Sequence, residues 1–134
     1  MTEETKLTVV VADPDNRVRS ALILLLREQQ GVTVVAESSD LAALLAQVRE
    51  LKPDLVLLDW ELPGRPAAAL LLARSTLGYQ PRVIVFSARP ELEGDILAAG
   101  ADAFVSKSDP PEALVKAVRK VAEEYRKGVI DQEE

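Results

Sequence analysis

Five polar side chains of complementary chemistry stand at or just past the ends of apolar runs. Asp13 and Asp15 follow Leu7–Ala12, Asp59 follows Leu55–Leu58, Ser87 follows Val83–Phe86, and Lys107 follows Ala103–Val105. Carboxylates, a hydroxyl and an ammonium suit a phosphoryl group held with a hard divalent cation, because Mg²⁺ prefers oxygen ligands and binds through one or two carboxylates plus phosphate oxygens. A carboxylate in such a site can act as a nucleophile and become an acyl phosphate, while the lysine and the hydroxyl pair with the phosphate oxygens. Taken singly, each residue has a plainer use: an Asp after a strand as a turn or N-cap residue, Ser87 as a cap, Lys107 as a solvated charge. Their joint placement is what points to chemistry.

For these residues to meet, the apolar runs must be neighbouring parallel strands, since open α/β sheets bind ligands at the carboxyl ends of their strands. The runs Leu7–Ala12, Val32–Ala36, Leu55–Leu58, Val83–Phe86 and Ala103–Val105 alternate with helix-like stretches at Arg17–Gln30, Leu41–Leu51, Ala67–Leu77, Glu91–Ala99 and Glu112–Lys127. The runs are continuous and rich in β-branched residues, as strands covered on both faces are. The alternation predicts βαβ units and an α/β fold with a parallel sheet. In the last stretch Leu114, Val115, Val118, Val121, Ala122 and Tyr125 recur at helical spacing; Pro110 and Pro111 suit its start and Gly128 its C-cap. Pro63–Pro66 and Gly78–Pro81 mark loops.

A chain of 134 residues suits one core, here a domain over residues 1–128 with a solvated tail over 129–134. The net charge of −6 argues against direct nucleic-acid binding, which needs a basic surface. Cys and His are both absent, which removes disulfides, thiolate nucleophiles, imidazole bases and the usual zinc ligands. The polar, acidic N-terminus and the absence of a long apolar run predict a soluble cytoplasmic chain without a membrane segment.

Over about residues 6–127 the sequence resembles the receiver domains of two-component response regulators. Leu55-Val-Leu-Leu-Asp59-Trp-Glu-Leu-Pro63-Gly64 is similar to their phosphoacceptor segment, Val83-Ile-Val-Phe-Ser87-Ala88 to their switch strand, and Ala98-Ala-Gly100-Ala101-Asp-Ala-Phe104-Val-Ser-Lys107 to the segment carrying a switch aromatic and a lysine. Asp13 matches the first member of their acidic pair. The resemblance implies a three-layer, flavodoxin-like (βα)5 fold with strand order 2-1-3-4-5. It further implies that Asp59 accepts phosphate from a sensor histidine kinase or a phosphotransfer protein, with Lys107 pairing the phosphoryl group. Ser87 would swing toward it, drawing Phe104 inward and repacking the surface of the fourth helix, fifth strand and fifth helix. Mg²⁺ would be held by Asp13, Asp59 and the Glu61 backbone carbonyl. Enzyme activity would be limited to self-phosphorylation and self-dephosphorylation at Asp59. A homodimer through the fourth and fifth helices is compatible with the sequence.

Pro14 departs from the pattern, standing where the family has a second carboxylate. Either Asp13 caps the first helix with Pro14 in its first position, or Asp15 takes over the metal contact; the favoured expectation is a weakened metal site that retains Asp13 and Asp59. Glu61 and Arg89 occupy the family's rate-tuning positions and are expected to pair across the site mouth. Ser108, where many relatives have proline, and Pro110-Pro111-Glu-Ala-Leu resemble receivers of the NarL type. Two other functions compete. A degenerate receiver would act as a phosphorylation-independent interaction module, as Pro14 suggests; a haloacid-dehalogenase-type phosphatase would use Asp13-Pro14-Asp15 as its nucleophile loop, although the family's following Gly-Thr is missing.

Overall fold

The computed structural model describes residues 6–65 and 78–133. Five parallel strands, β1 (Leu7–Ala12), β2 (Val32–Ser38), β3 (Leu55–Asp59), β4 (Arg82–Ser87) and β5 (Ala103–Ser106), form one sheet in the order β2-β1-β3-β4-β5. The helices are α1 (Asn16–Arg27), α2 (Leu41–Leu51), α3 (Glu93–Ala98), preceded by a 3₁₀ turn at Pro90–Leu92, and α4 (Pro111–Glu133). This is the expected flavodoxin-like arrangement, with strand order reversing between β1 and β3, where such sheets place their ligands. The stretch expected to be helical at Ala67–Leu77 lies outside the described residues.

Alternation along the central strands separates two cores. Val9, Val11, Leu55, Leu57 and Ile84 face α1 and α4, whose Leu22, Ile23, Leu26, Leu114 and Val118 close the first core. Val10, Ala12, Val56, Leu58, Val83 and Val85 face the opposite way, against Leu44 and Val48 of α2 and Ile96 of α3. Every residue of β3 is buried, as a strand covered on both faces must be. At about 1.5–3 kcal/mol for each fully buried large side chain, these two layers are what hold the strand ends in place.

The amino ends of the strands are closed by carboxylates. Asp54 Oδ2 accepts from the Thr8 N–H at 2.8 Å and from its hydroxyl at 2.9 Å, and Asp102 Oδ2 accepts from the Val83 N–H at 2.7 Å. No helix among the described residues is long and apolar enough to cross a membrane.

Two terminal expectations are corrected. Gly128 does not end the last helix: the backbone remains helical to Glu133, so the tail expected from residue 129 is helical over residues 129–133. Gly128 is not among the glycines with positive φ, so it lacks the left-handed backbone of a helix-terminating C-cap, and no proline follows it. The first helix stops at Arg27 rather than Gln30, because the chain turns at Gly31, whose φ of +78° a helix cannot accommodate.

Leu57, at the middle of β3, is buried in the first core at 1% exposure, so Leu57→Ala is expected to cost about 2–5 kcal/mol through lost burial and a residual cavity. Urea unfolding should show a lower midpoint with an unchanged slope.

Candidate functional site

The sheet gathers Asp13, Asp59 and Lys107 at its carboxyl edge. Asp59 is the last residue of β3 and Ser87 the last of β4, so both side chains are fixed by strand backbone, not by loops. Asp13 directly follows β1, and Lys107 follows β5 with its N–H donating to the Ser87 carbonyl at 2.8 Å. The Lys107 ammonium donates to Asp59 Oδ2 at 2.9 Å and to Asp13 Oδ2 at 3.4 Å. The other oxygen of each carboxylate accepts a local backbone N–H: Asp59 Oδ1 from Glu61 at 2.9 Å, Asp13 Oδ1 from Asp15 at 2.8 Å. Lys107 Nζ also stands 5.9 Å from the centre of the Phe86 ring, within cation–π range.

Two carboxylates and one ammonium leave the cluster with an excess of negative charge. Asp13 is 1% and Asp59 3% exposed. Burial raises the Asp13 pKa above the ordinary carboxylate value, helped by the Asp59 charge and opposed by the Asp15 N–H and by Lys107. For Lys107 burial works against the charged form, but the hydrogen bonds and charges of Asp59 and Asp13 outweigh it and raise its pKa. Burial is thus the main cause of the Asp13 shift, and the two carboxylates the cause of the rise at Lys107.

The donor set fits a small hard cation at the lower limit. Each carboxylate oxygen accepts one hydrogen bond and retains a further lone pair, and two carboxylates completed by phosphate oxygens and waters are a common Mg²⁺ set. No group of three or more acidic side chains placed to hold a metal ion is found among the described residues.

Ser87 is fully buried and its Oγ accepts the Arg89 N–H at 3.0 Å, which leaves the hydroxyl hydrogen as its donor toward an incoming oxyanion. Phe104 is half-buried against the second core and borders a surface groove with Arg82, Asp102, Lys116 and Lys120. It therefore has both an inner contact and open space beside it.

Three expectations change. The cap of α1 is Asp15, not Asp13: Asp15 Oδ1 accepts from the Arg17 N–H at 2.8 Å and the Val18 N–H at 3.3 Å. Pro14 consequently lies before the cap and not in the first helical position. The same bonds, with a smaller contribution from the Lys107 charge, lower the Asp15 pKa and commit Oδ1 of its carboxylate to the helix start. Finally, Arg89 pairs with Glu91 at 3.6 Å and not with Glu61, because the 3₁₀ turn at Pro90 folds Glu91 back beside it.

Sequence reasoning passed over Arg19, whose guanidinium donates to the Asp13 carbonyl, and the Ser106–Asp109 turn that presents Lys107, in which the Ser106 N–H donates to Asp109 Oδ2 at 3.1 Å. A signal existed for Arg19: it lies three, four and seven residues before Leu22, Ile23 and Leu26, a charge within the apolar stripe of α1.

Comparison with known proteins places residues 9–119 in the family described as the response regulator receiver domain. The chain is 30% identical over 125 residues to the nitrate/nitrite response regulator protein NarL of Escherichia coli strain K12, covering 91% of this chain and 57% of that protein. It is 32% identical over 117 residues to response regulator GacA of Pseudomonas aeruginosa, covering 84% of this chain and 54% of that protein. The chain thus spans about half the length of these relatives. Among solved structures, the signal receiver domain of NarL from Mycobacterium tuberculosis superposes with a TM-score of 0.76 at 34% identity, covering 88% of this chain and 97% of that one.

The raised Asp13 pKa sets a testable sign. Its ionised form is disfavoured in the fold, so the cost is absent below the unfolded pKa near 3.8 and complete above the raised folded value. Asp13→Asn is therefore expected to raise the melting temperature of the metal-free protein at pH 7 by about 2–5 °C. Melts in EDTA should show the gain shrinking as the pH falls toward 4.

Proposed function

The chain belongs to the response-regulator receiver domain family and is NarL-like within it; on that premise we propose that it is a phosphorylation-dependent switch whose phosphate acceptor is Asp59. The donor is the phosphohistidine of a sensor histidine kinase or of a phosphotransfer protein, and the exchange takes place in the cytoplasm. An Asp59 carboxylate oxygen attacks phosphorus, the P–N bond breaks as the P–O bond forms, and the imidazole departs with the bonding pair. The observation that carries this reading is the Lys107 ammonium bridging two buried carboxylates at 2.9 and 3.4 Å. Such a lysine can neutralise part of an arriving dianion without a new charge entering from solvent.

The remaining roles follow from position. Asp13, Asp59 and the Glu61 backbone carbonyl would hold Mg²⁺, which when bound supplies the charge neutralisation that Lys107 alone cannot. The Ser87 hydroxyl donates to a phosphoryl oxygen after giving up its local turn contact, and Phe104 moves inward beside it. The surface of α3, β5 and α4 then repacks, which is how a new dianion biases a bistable element. A homodimer through α3 and α4 is one readout of that surface. An apolar groove of about 400 Å³, lined by Val18, Leu22, Leu25, Phe86 and Leu114, adjoins Lys107 and offers a donor protein a surface next to the acceptor. Glu61 and Arg89 flank the mouth and tune loss of the phosphoryl group separately, since Arg89 is paired with Glu91.

Pro14 favours a second reading, a receiver that works as an interaction module without phosphorylation. Labelling with radioactive acetyl phosphate separates the two. Wild type should take up one acid-stable, alkali-labile phosphoryl group only with Mg²⁺, Asp59→Asn none, and Ser87→Ala should be labelled without the accompanying change in Trp60 fluorescence. Absence of label in wild type at millimolar Mg²⁺ leaves the interaction module as the function.

A further inference from the structure

Pro14 removes both a side-chain ligand and a backbone N–H from the loop that carries Asp13. Asp13 nevertheless stays buried and directed at Lys107. Its backbone is held on both sides. The Asp13 N–H donates to the Ser38 carbonyl at 3.0 Å, and the Asp13 carbonyl accepts from Arg19 Nη1 at 2.8 Å. The same guanidinium donates through Nε to Glu37 Oε1 at 2.7 Å and through Nη2 to the Asn16 side-chain oxygen. One planar group thereby ties the β1–α1 loop, the start of α1 and the end of β2 together, and its side chain is only 12% exposed.

The carbonyl that Arg19 holds belongs to the Asp13–Pro14 peptide. Turning that peptide changes ψ of Asp13 and moves Asp15, whose N–H holds Asp13 Oδ1 at 2.8 Å. The proline ring already confines residue 13 to extended ψ. The guanidinium and the ring therefore restrain the same torsion, and the direction of the carboxylate follows from it.

We infer that Arg19 is a positioning residue: by clamping the Asp13 carbonyl to Glu37, it keeps the acidic side chain this loop retains at the site aimed at Asp59 and Lys107, and so sets the affinity for a divalent cation. The inference rests on the reading of the site as a Mg²⁺-dependent phosphoryl acceptor, and adds to it a residue that touches neither metal nor phosphate. Arginine suits this role because its fork reaches several acceptors at fixed angles, which a lysine ammonium does not.

The test titrates Mg²⁺ alone against Trp60 fluorescence in wild type, Arg19→Gln, Arg19→Lys and Glu37→Gln, then measures the Mg²⁺ dependence of Asp59 labelling by acetyl phosphate. Arg19→Gln is expected to raise the half-saturating Mg²⁺ about tenfold in both measurements, with the labelling rate at saturation unchanged. Arg19→Lys should resemble Arg19→Gln, and Glu37→Gln should shift the same way by less. A merely structural role would lower the melting temperature and leave half-saturation alone. If Arg19→Gln does not fold, Arg19→Lys and Glu37→Gln carry the comparison. Folded variants that saturate with Mg²⁺ at the wild-type concentration overturn the assignment of Arg19, whereas a wild type that takes up neither Mg²⁺ nor phosphoryl overturns the acceptor reading along with it.

Discussion

The Lys107 ammonium lies 2.9 Å from Asp59 and 3.4 Å from Asp13, two carboxylates that the sheet has taken almost entirely out of water. An ionised carboxylate at such burial is tolerated only with a partner, because moving it from water is expensive and a lone buried charge costs several kcal/mol. The lysine answers one negative charge and is shared by two. The rest of this edge answers that shortage: the backbone N–H groups of Glu61 and Asp15 are spent on the carboxylates, and the ammonium stands over the Phe86 ring. Removing the lysine would leave two buried carboxylates facing each other with only neutral donors.

Aspartates stand at both edges of the sheet, and their partners separate structural from chemical use. At the amino edge Asp54 and Asp102 accept backbone N–H groups of the neighbouring strands β1 and β4, which the ladder leaves open there. These bonds close the sheet. At the carboxyl edge Asp13 and Asp59 meet an ammonium and keep lone pairs for a further cation. Asp15 and Asp40 form a third group, each capping a helix through its side chain. The residue type is the same throughout, so burial and partner decide the role.

Much of the fold was legible because both faces of the sheet are covered, which makes the strands continuous apolar runs that local pattern can find. The strand ends bearing Asp59 and Ser87 followed directly from those runs. Errors gathered where two local preferences competed. Asp13 and Asp15 are both good caps flanking a proline, and only the packing of Asp13 beneath Lys107 left Asp15 to cap α1. Arg89 had acidic neighbours on two elements, and the 3₁₀ turn at Pro90 favoured the nearer, Glu91. Gly128 would suit a helix end, but glycine stops a helix only where the backbone enters the left-handed region.

By itself the sequence determined the fold class, the sheet order through its family likeness, and the strand ends at which Asp59, Ser87 and Lys107 stand, because hydrophobic periodicity and strand-end chemistry are local properties of the chain. Tertiary structure alone decided which carboxylates share Lys107, which carboxylate Arg89 pairs with, and that Arg19 reaches across from α1 to the Asp13 carbonyl and Glu37. Those outcomes depend on distances between residues as much as 94 positions apart in the chain, which packing fixes and local spacing does not.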